Sequence, residues 1–321
     1  MYQNLTLQIV AWNSTEELEA LLPSLKTLAS KGVFIRYIDN NSTDDSVSFV
    51  RKELPQADII ELQENTGFVG GHNAGFAKCE TEFVAVVNPD VTIDVDGFLS
   101  LLEVFKNTAV AAAQGKIYRE GVVFDSAGII RTLSFNGIDR GAGIEDGGQY
   151  NTIAEIGGVT GALCVYRLSA LRDIAHGTYK IGDVNALEVY DRSFFGYRED
   201  VDLGWRLQHA DWKNLYVPVS TGSHIRSLRR SSPIGWSLEP RAFVARLRSL
   251  RTRYSLRNYA WTVVKNAPTG ELLIRGPLVD LRLLVFFCLS LLYWPLLSVW
   301  PEIFRGMPEM LEKRAKILYN R

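Results

Sequence analysis

The run Phe194-Phe195-Gly196-Tyr197-Arg198-Glu199-Asp200-Val201-Asp202-Leu203-Gly204-Trp205 places three carboxylates within four positions, between aromatic residues. Acids favour a helix start, where the backbone dipole is positive, and the flanking aromatics imply a partly buried pocket mouth. A carboxylate there can act as general base toward a hydroxyl. Upstream, Asn88-Pro89-Asp90 follows an apolar run and sets one carboxylate at the end of a strand. That position suits a hard cation such as Mg2+ or Mn2+ shared with a diphosphate, or a plain turn. His224 follows a second apolar run at 215–219. It is either a structural histidine or, if it returns to the same sheet edge as Asp90, part of a metal site.

Two further polar segments also follow apolar runs. Asp39-Asn40-Asn41-Ser42-Thr43-Asp44 can hydrogen-bond a base and ribose, or cap the next helix. The glycine-dense stretch from Asn65 to Gly75 runs into a helix, where backbone N–H groups can approach phosphate. It has neither the Gly-Lys-Ser/Thr of a Walker loop nor dinucleotide spacing, and an ordinary strand-to-helix turn is the alternative. His72 reads as structural or base-facing, and Asp94 and Asp96 as solvated.

These segments are positioned by apolar runs of strand length at 5–11, 34–38, 58–62 and 83–87. They alternate with helical-period stretches at 15–29, 44–54 and 70–78, the first carrying Leu18, Leu21, Leu22, Leu25 and Leu28. Such a rhythm predicts βαβ units and a mostly parallel sheet covered on both faces. Ligands bind beyond the carboxyl ends of such strands, where the polar motifs fall. The Gly-rich region 115–160 reads as loops and short strands shaping an acceptor side. With 321 residues, 47% of them hydrophobic and 22% charged, the chain is neither disordered nor fibrous. Cys79, Cys164 and Cys288 have no zinc or disulfide spacing, which fits a reducing compartment. The start MYQNLTLQIVAW carries no signal-peptide pattern, so the body is expected in the cytoplasm.

In this order the motifs resemble the family 2 inverting glycosyltransferases of the GT-A fold, most closely their rhamnosyltransferase-like branch. The matching segments are Val10-Ala11-Trp12-Asn13-Ser14, Asp39 to Ser42, Asn65 to Gly75, Asn88-Pro89-Asp90, Gly161-Ala162, Glu199 to Asp202, and His224. They span about residues 4–230. The resemblance implies an α/β, Rossmann-like GT-A catalytic domain over 1–230, with a nucleotide-sugar part at about 1–115 and an acceptor part at about 116–230. It implies Asp200 as catalytic base, Asp39 for the nucleotide base, and Asp90 with His224 for Mg2+ or Mn2+. Asn13, Asn41, Asn65, Gly67, Phe68, Asn73 and Asn88 would complete the donor site with Asp39 and Asp90. Glu199, Asp202 and Trp205 would face the acceptor. Asn88 stands where many relatives carry the first acid of Asp-x-Asp, so this chain brings one carboxylate fewer to the metal.

The chemistry implied is a single inverting displacement. The donor would be dTDP-rhamnose or a UDP-sugar and the acceptor a hydroxyl of a glycan or polyprenyl-linked glycan, in cell-envelope polysaccharide synthesis. A nucleotidyltransferase is a rival reading, although the chain lacks a Gly-rich N-terminal signature with a basic residue. A catalytically silent glycan- or nucleotide-binding module tethered to a membrane is another.

The charge is divided. Residues 1–225 hold 18 Lys and Arg against 30 Asp and Glu, whereas residues 226–321 hold 17 against 6. An acidic body opposes nucleic acid, and the basic end suits an anionic membrane surface. Residues 226–257 alone hold nine Arg and one Glu, around a stripe of Phe243, Leu247, Leu250 and Tyr254. That stripe reads as an amphipathic helix on an anionic leaflet, or as one packed on the body. The uncharged stretch 283–300, interrupted by Pro295, is expected to form two shorter segments at the interface or in a homo-oligomer contact rather than one crossing. The 231–321 part is thus a helical, basic and apolar membrane-associating region, and the protein is expected to be peripheral on the inner face of the cell membrane.

Overall fold

The computed structural model describes residues 2–224 and 249–319. The strands are β1 (Leu5–Ala11), β2 (Phe34–Asp39), β3 (Asp58–Glu61), β4 (Phe83–Val87), β5 (Val91–Ile93), β6 (Val110–Glu120), β7 (Val123–Ser126), β8 (Ile129–Arg131), β9 (Gly137–Asp139), β10 (Ala154–Glu155), β11 (Leu163–Arg167), β12 (Thr178–Ile181), β13 (Val184–Leu187) and β14 (Lys213–His224). The central sheet runs β10-β14-β6-β11-β4-β1-β2-β3, with β5 on β14 and β7 on β6. Its first half, β3-β2-β1-β4, is wholly parallel. β11 runs antiparallel to both β4 and β6, so the mostly parallel sheet expected from the sequence is realised as a mixed one.

Five helices belong to the first 180 residues: α1 (Thr15–Ser30), α2 (Ser46–Glu53), α3 (Gly67–Ala77), α4 (Val95–Ser100) and α5 (Leu168–Asp173). On α1 the apolar positions recur every three or four residues, and Leu18, Leu21, Leu25 and Leu28 are buried against the sheet. β4 is buried at all five positions, as a central strand covered on both faces must be. The glycine-dense stretch is mostly helix rather than loop. Glycine is a poor helix former, but here it permits close approach: a Cβ on Gly71 would lie 2.6 Å from Val10, and one on Gly75 2.5 Å from the Gln8 amide.

The remaining helices are α6 (Glu199–His209), α7 (Leu250–Asn266), α8 (Thr269–Leu292), α9 (Trp294–Leu297) and α10 (Val299–Leu318). α7 and α10 pack together through Leu256, Ala260, Val299 and Ile303, and Gly306 lets the Trp261 ring lie against α10. The 283–300 stretch is broken at Tyr293, as expected, and no described helix is long and apolar enough to cross a membrane. Of the arginine-rich stripe, residues 226–248, with Phe243 and Leu247, lie outside the described residues.

Candidate active site

The carboxyl ends of β1, β2 and β4 share one sheet edge. Asp39 closes β2 and is buried, its Oδ2 accepting from the Ser42 N–H at 3.1 Å while Oδ1 has no partner among the described residues. Asn13 and Asn41 both adopt positive φ, and the Asn13 amide oxygen takes the Thr43 N–H at 2.7 Å. Asn40 binds this loop to the next: its amide N–H reaches Asn65 and Gly67, and its oxygen accepts from the Thr66 N–H at 2.9 Å. Nothing in its spacing distinguishes Asn40 from Asn41, so the sequence gives no sign of this brace.

Gly67 opens α3 at φ +71°, and a Cβ there would lie 2.3 Å from the Phe195 carbonyl oxygen. Phe68 packs on His72, Tyr190 and Gly161. His72 is fully buried and accepts at Nδ1 from the Gln8 amide, and burial pushes its pKa down to about 3, so it is a neutral packing residue. Asn73 corrects the expectation that it binds donor. Its amide is buried and engaged, exchanging hydrogen bonds with Tyr190 N–H and C=O at 2.9 and 2.7 Å, 117 positions away.

Just past β4, the Asn88 N–H donates to the Ala162 carbonyl at 2.9 Å. Asp90, at the end of the same turn, meets His224 Nε2 at 3.1 Å, and His224 Nδ1 meets Asp125 at 2.8 Å. β14 delivers His224 opposite Val91, the residue after Asp90, so the histidine does return to this edge. Burial opposes the charged imidazole, but hydrogen bonds to the two carboxylates prevail and raise it to about 9. Asp125, on β7 and itself held by Arg119, is a site residue that sequence reasoning missed. Only the β6–β7 pairing brings it here.

Among the described residues no three acidic, imidazole or thiol groups gather as a metal cage. Asp90 and His224 nonetheless fit a cation that takes its other ligands from a diphosphate and water. The Asp125 bond to Nδ1 directs Nε2 toward Asp90, the outer-shell support that metal-binding histidines have.

The acid cluster separates into different environments. Asp200 accepts from the Val201 N–H at 2.8 Å; burial raises its pKa, against that bond, the Gly161 N–H and the Arg198 charge. Glu199 is buried with one oxygen unpartnered among the described residues, and burial followed by the Asp200 charge holds its carboxyl well above the usual range. Asp202, expected to face the acceptor, is instead engaged in the interior. It has no solvent exposure, and its oxygens are held by Arg206 at 2.9 Å and by Lys265 and Asn266 at 2.8 Å each. Trp205 is likewise buried, stacked on Phe135 and covered by Arg131, because its position in the helix points it away from the Asp200 side.

The segment before α6 is strained: Phe195, Tyr197 and Arg198 all adopt φ between 63° and 71°. α7 holds it there. The Asn258 amide donates to the carbonyls of Phe194, Gly196 and Tyr197 at 2.8 to 3.2 Å, and Arg198 donates to the Ser255 carbonyl.

A model of the family described as "Glycosyl transferase family 2" matches residues 6–175. An N-acetylglucosaminyl-diphospho-decaprenol L-rhamnosyltransferase of Mycobacterium tuberculosis is 26% identical over 239 residues, covering 67% of this chain and 74% of the relative. Among solved structures, GalNAc-T7 with UDP, GalNAc and Mn2+ superposes with a TM-score of 0.55 at 14% identity, covering 81% of this chain and 47% of that one, so this chain spans less than half its length. The mannosyltransferase PcManGT of Pyrobaculum calidifontis, with GDP-Man and Mn2+, has a TM-score of 0.53 at 13% identity and covers 99% of this chain and 88% of its own. The fold is the mixed α/β GT-A architecture.

Proposed function

The chain belongs to glycosyl transferase family 2, and we propose that it moves a sugar, with inversion, from dTDP-rhamnose or a UDP-sugar to a hydroxyl of a glycan or lipid-linked glycan during cell-envelope polysaccharide synthesis. The observation that carries this reading is the Gly161-Ala162 bridge. The Gly161 N–H favours the charged form of the Asp200 carboxylate while the Ala162 carbonyl accepts the Asn88 N–H beside Asp90. One dipeptide thus couples a general base to the residues suited to a departing diphosphate.

In the proposed reaction Asp200 takes the proton from the acceptor hydroxyl. That oxygen attacks the anomeric carbon from the face opposite the diphosphate, and the bond to the diphosphate oxygen breaks as the new glycosidic bond forms. The Asp39 Oδ1, unpartnered among the described residues, would accept the imide N–H of uracil or thymine. Glu199, whose burial favours the neutral carboxyl, would donate a hydrogen bond to the acceptor. A divalent cation, when bound, would offset the charge developing on the diphosphate, with Asp90 and His224 as its protein ligands. It enters the proposal because that pair fits one and because both solved structures of like fold carry Mn2+. The Mycobacterium relative is named for a lipid-linked acceptor and L-rhamnose, which supports those choices here. Such an acceptor would place the protein peripherally on the cytoplasmic face of the cell membrane.

The test is transfer from dTDP-rhamnose and UDP-sugars to a polyprenyl-diphosphate-linked glycan, with thermal stability measured against each nucleotide. We expect Asp200→Asn to lose transfer while dTDP or UDP still raises its melting temperature. Equal transfer by wild type and variant would remove Asp200 from the base role.

A further inference from the structure

α8 carries apolar residues on two opposite faces. Leu272, Val279, Leu283 and Phe286 point inward and pack on α7 and α10. Half a turn round the helix, Leu273, Ile274, Leu278, Leu281, Leu284 and Val285 are between 42% and 81% exposed. This outward arc carries no charge; Glu271, Arg275, Asp280 and Arg282 lie at its margins. A continuous exposed apolar face of this length marks a contact surface. Beside the arc, Thr132, Leu133 and Ser134 face Leu278, Leu281 and Arg282 across a groove of about 450 Å3. The Arg282 guanidinium lies over the Tyr259 and Phe286 rings, and its Nε is buried without a hydrogen-bond partner among the described residues.

We infer that this outer face of α8 seats the protein on an anionic lipid bilayer, with the helix lying in the plane of the interface, its leucines among the acyl chains and Arg282 toward a lipid phosphate. Charge selects this occupant. Among the described residues, 249–319 hold ten Lys and Arg against five Asp and Glu, a net +5, and 2–224 a net −12, so an anionic surface attracts the end that bears the apolar face and repels the rest. A second copy would instead bring two basic ends together. No described helix is long and apolar enough to cross, which leaves an in-plane position for the exposed arc. The inference rests on the lipid-linked acceptor of the proposed function, since a bilayer seat is where such an acceptor would be met.

The test is sedimentation of the full chain with vesicles of phosphatidylcholine alone and of phosphatidylcholine mixed with phosphatidylglycerol, without donor or acceptor. Binding to the mixed vesicles should be about tenfold tighter or more, and should weaken as salt rises. Leu281→Glu/Val285→Glu should reduce it about tenfold or more at an unchanged melting temperature. Leu273→Glu/Ile274→Glu, at the more exposed end of the arc, gives an independent second variant. The inference is overturned if the wild type stays in solution with both vesicle types, if both variants bind like wild type, or if the wild type is a dimer that the substitutions dissociate without changing vesicle binding. Because these vesicles contain no sugar substrate, a negative result here leaves the transfer assay standing, and absence of transfer leaves vesicle binding unaffected.

Discussion

The ammonium of Lys265 lies 2.8 Å from the carboxylate of Asp202, and neither side chain has any exposure to solvent. Lys265 also pairs with Asp191, which Lys313 of α10 grips from the other side. Asp202 belongs to the same helix turn as Asp200, so α7 and α10 fix the helix that carries the proposed base.

Lys265→Met should therefore destabilise the protein strongly. Removing one partner of a buried ion pair leaves uncompensated carboxylates, and such losses run to about 3–5 kcal/mol. Denaturant unfolding, which reports the change as a fall in midpoint at unchanged slope, checks this. A loss below about 1 kcal/mol would mean that Lys313 and Arg206 satisfy the two acids without it.

Asn258→Ala removes the donor shared by three carbonyls of the strained 194–197 segment. With that clamp gone the left-handed residues can relax, which would move Asp200, the proposed base. Displacements of about 1 Å at reacting groups cost on the order of a hundredfold in rate. We expect kcat to fall by about that factor, with KM for the nucleotide sugar nearly unchanged; steady-state kinetics that move only KM would contradict the positioning role.

The pH profile follows from the direction of the Asp200 shift. Its pKa is raised in the folded protein by burial, so the carboxyl stays protonated, and inactive as a base, further up the pH scale than an ordinary aspartate. The acid limb of kcat/KM should lie above the usual carboxylate range of about 4. Stability should move the opposite way. In that window the folded state holds protons at Glu199 and Asp200 that the unfolded chain releases, so their contribution falls as pH rises. Asp200→Asn should flatten its share of that slope.

Asp125→Asn tests the cation reading without touching the proposed ligands. It weakens the partner that orients His224, and losses of about ten- to a hundredfold in metal affinity are usual for such support. Calorimetric titration of Mn2+ into the dTDP-loaded protein would measure it, and an unchanged affinity would show that His224 is not a ligand.

What the sequence revealed about this site depended on how local each cause was. β1, β2, β4 and α1 are legible because their apolar period states both element and buried face. Asp39, Asp90 and Asp200 stand out because polar residues abruptly end apolar runs at a strand or helix terminus. Asn73 and Asp202 carry the same kind of local signal, yet their partners are Tyr190 and Lys265, far along the chain. A polar residue in a motif reads the same whether it faces a ligand or a distant backbone group. Asp125, Asn40 and Asn258 act only through tertiary neighbours, so no spacing announces them.

The grip of Asn258 on the 194–197 segment also bears on how this protein can be cut and recombined. A chimera joined near residue 230, where composition turns basic, would take Asp200 from one parent and the helix holding it from another. The hybrid could retain every motif residue and still present its base out of line. A junction beyond Asn266 inherits the proposed base, strained segment and clamp together.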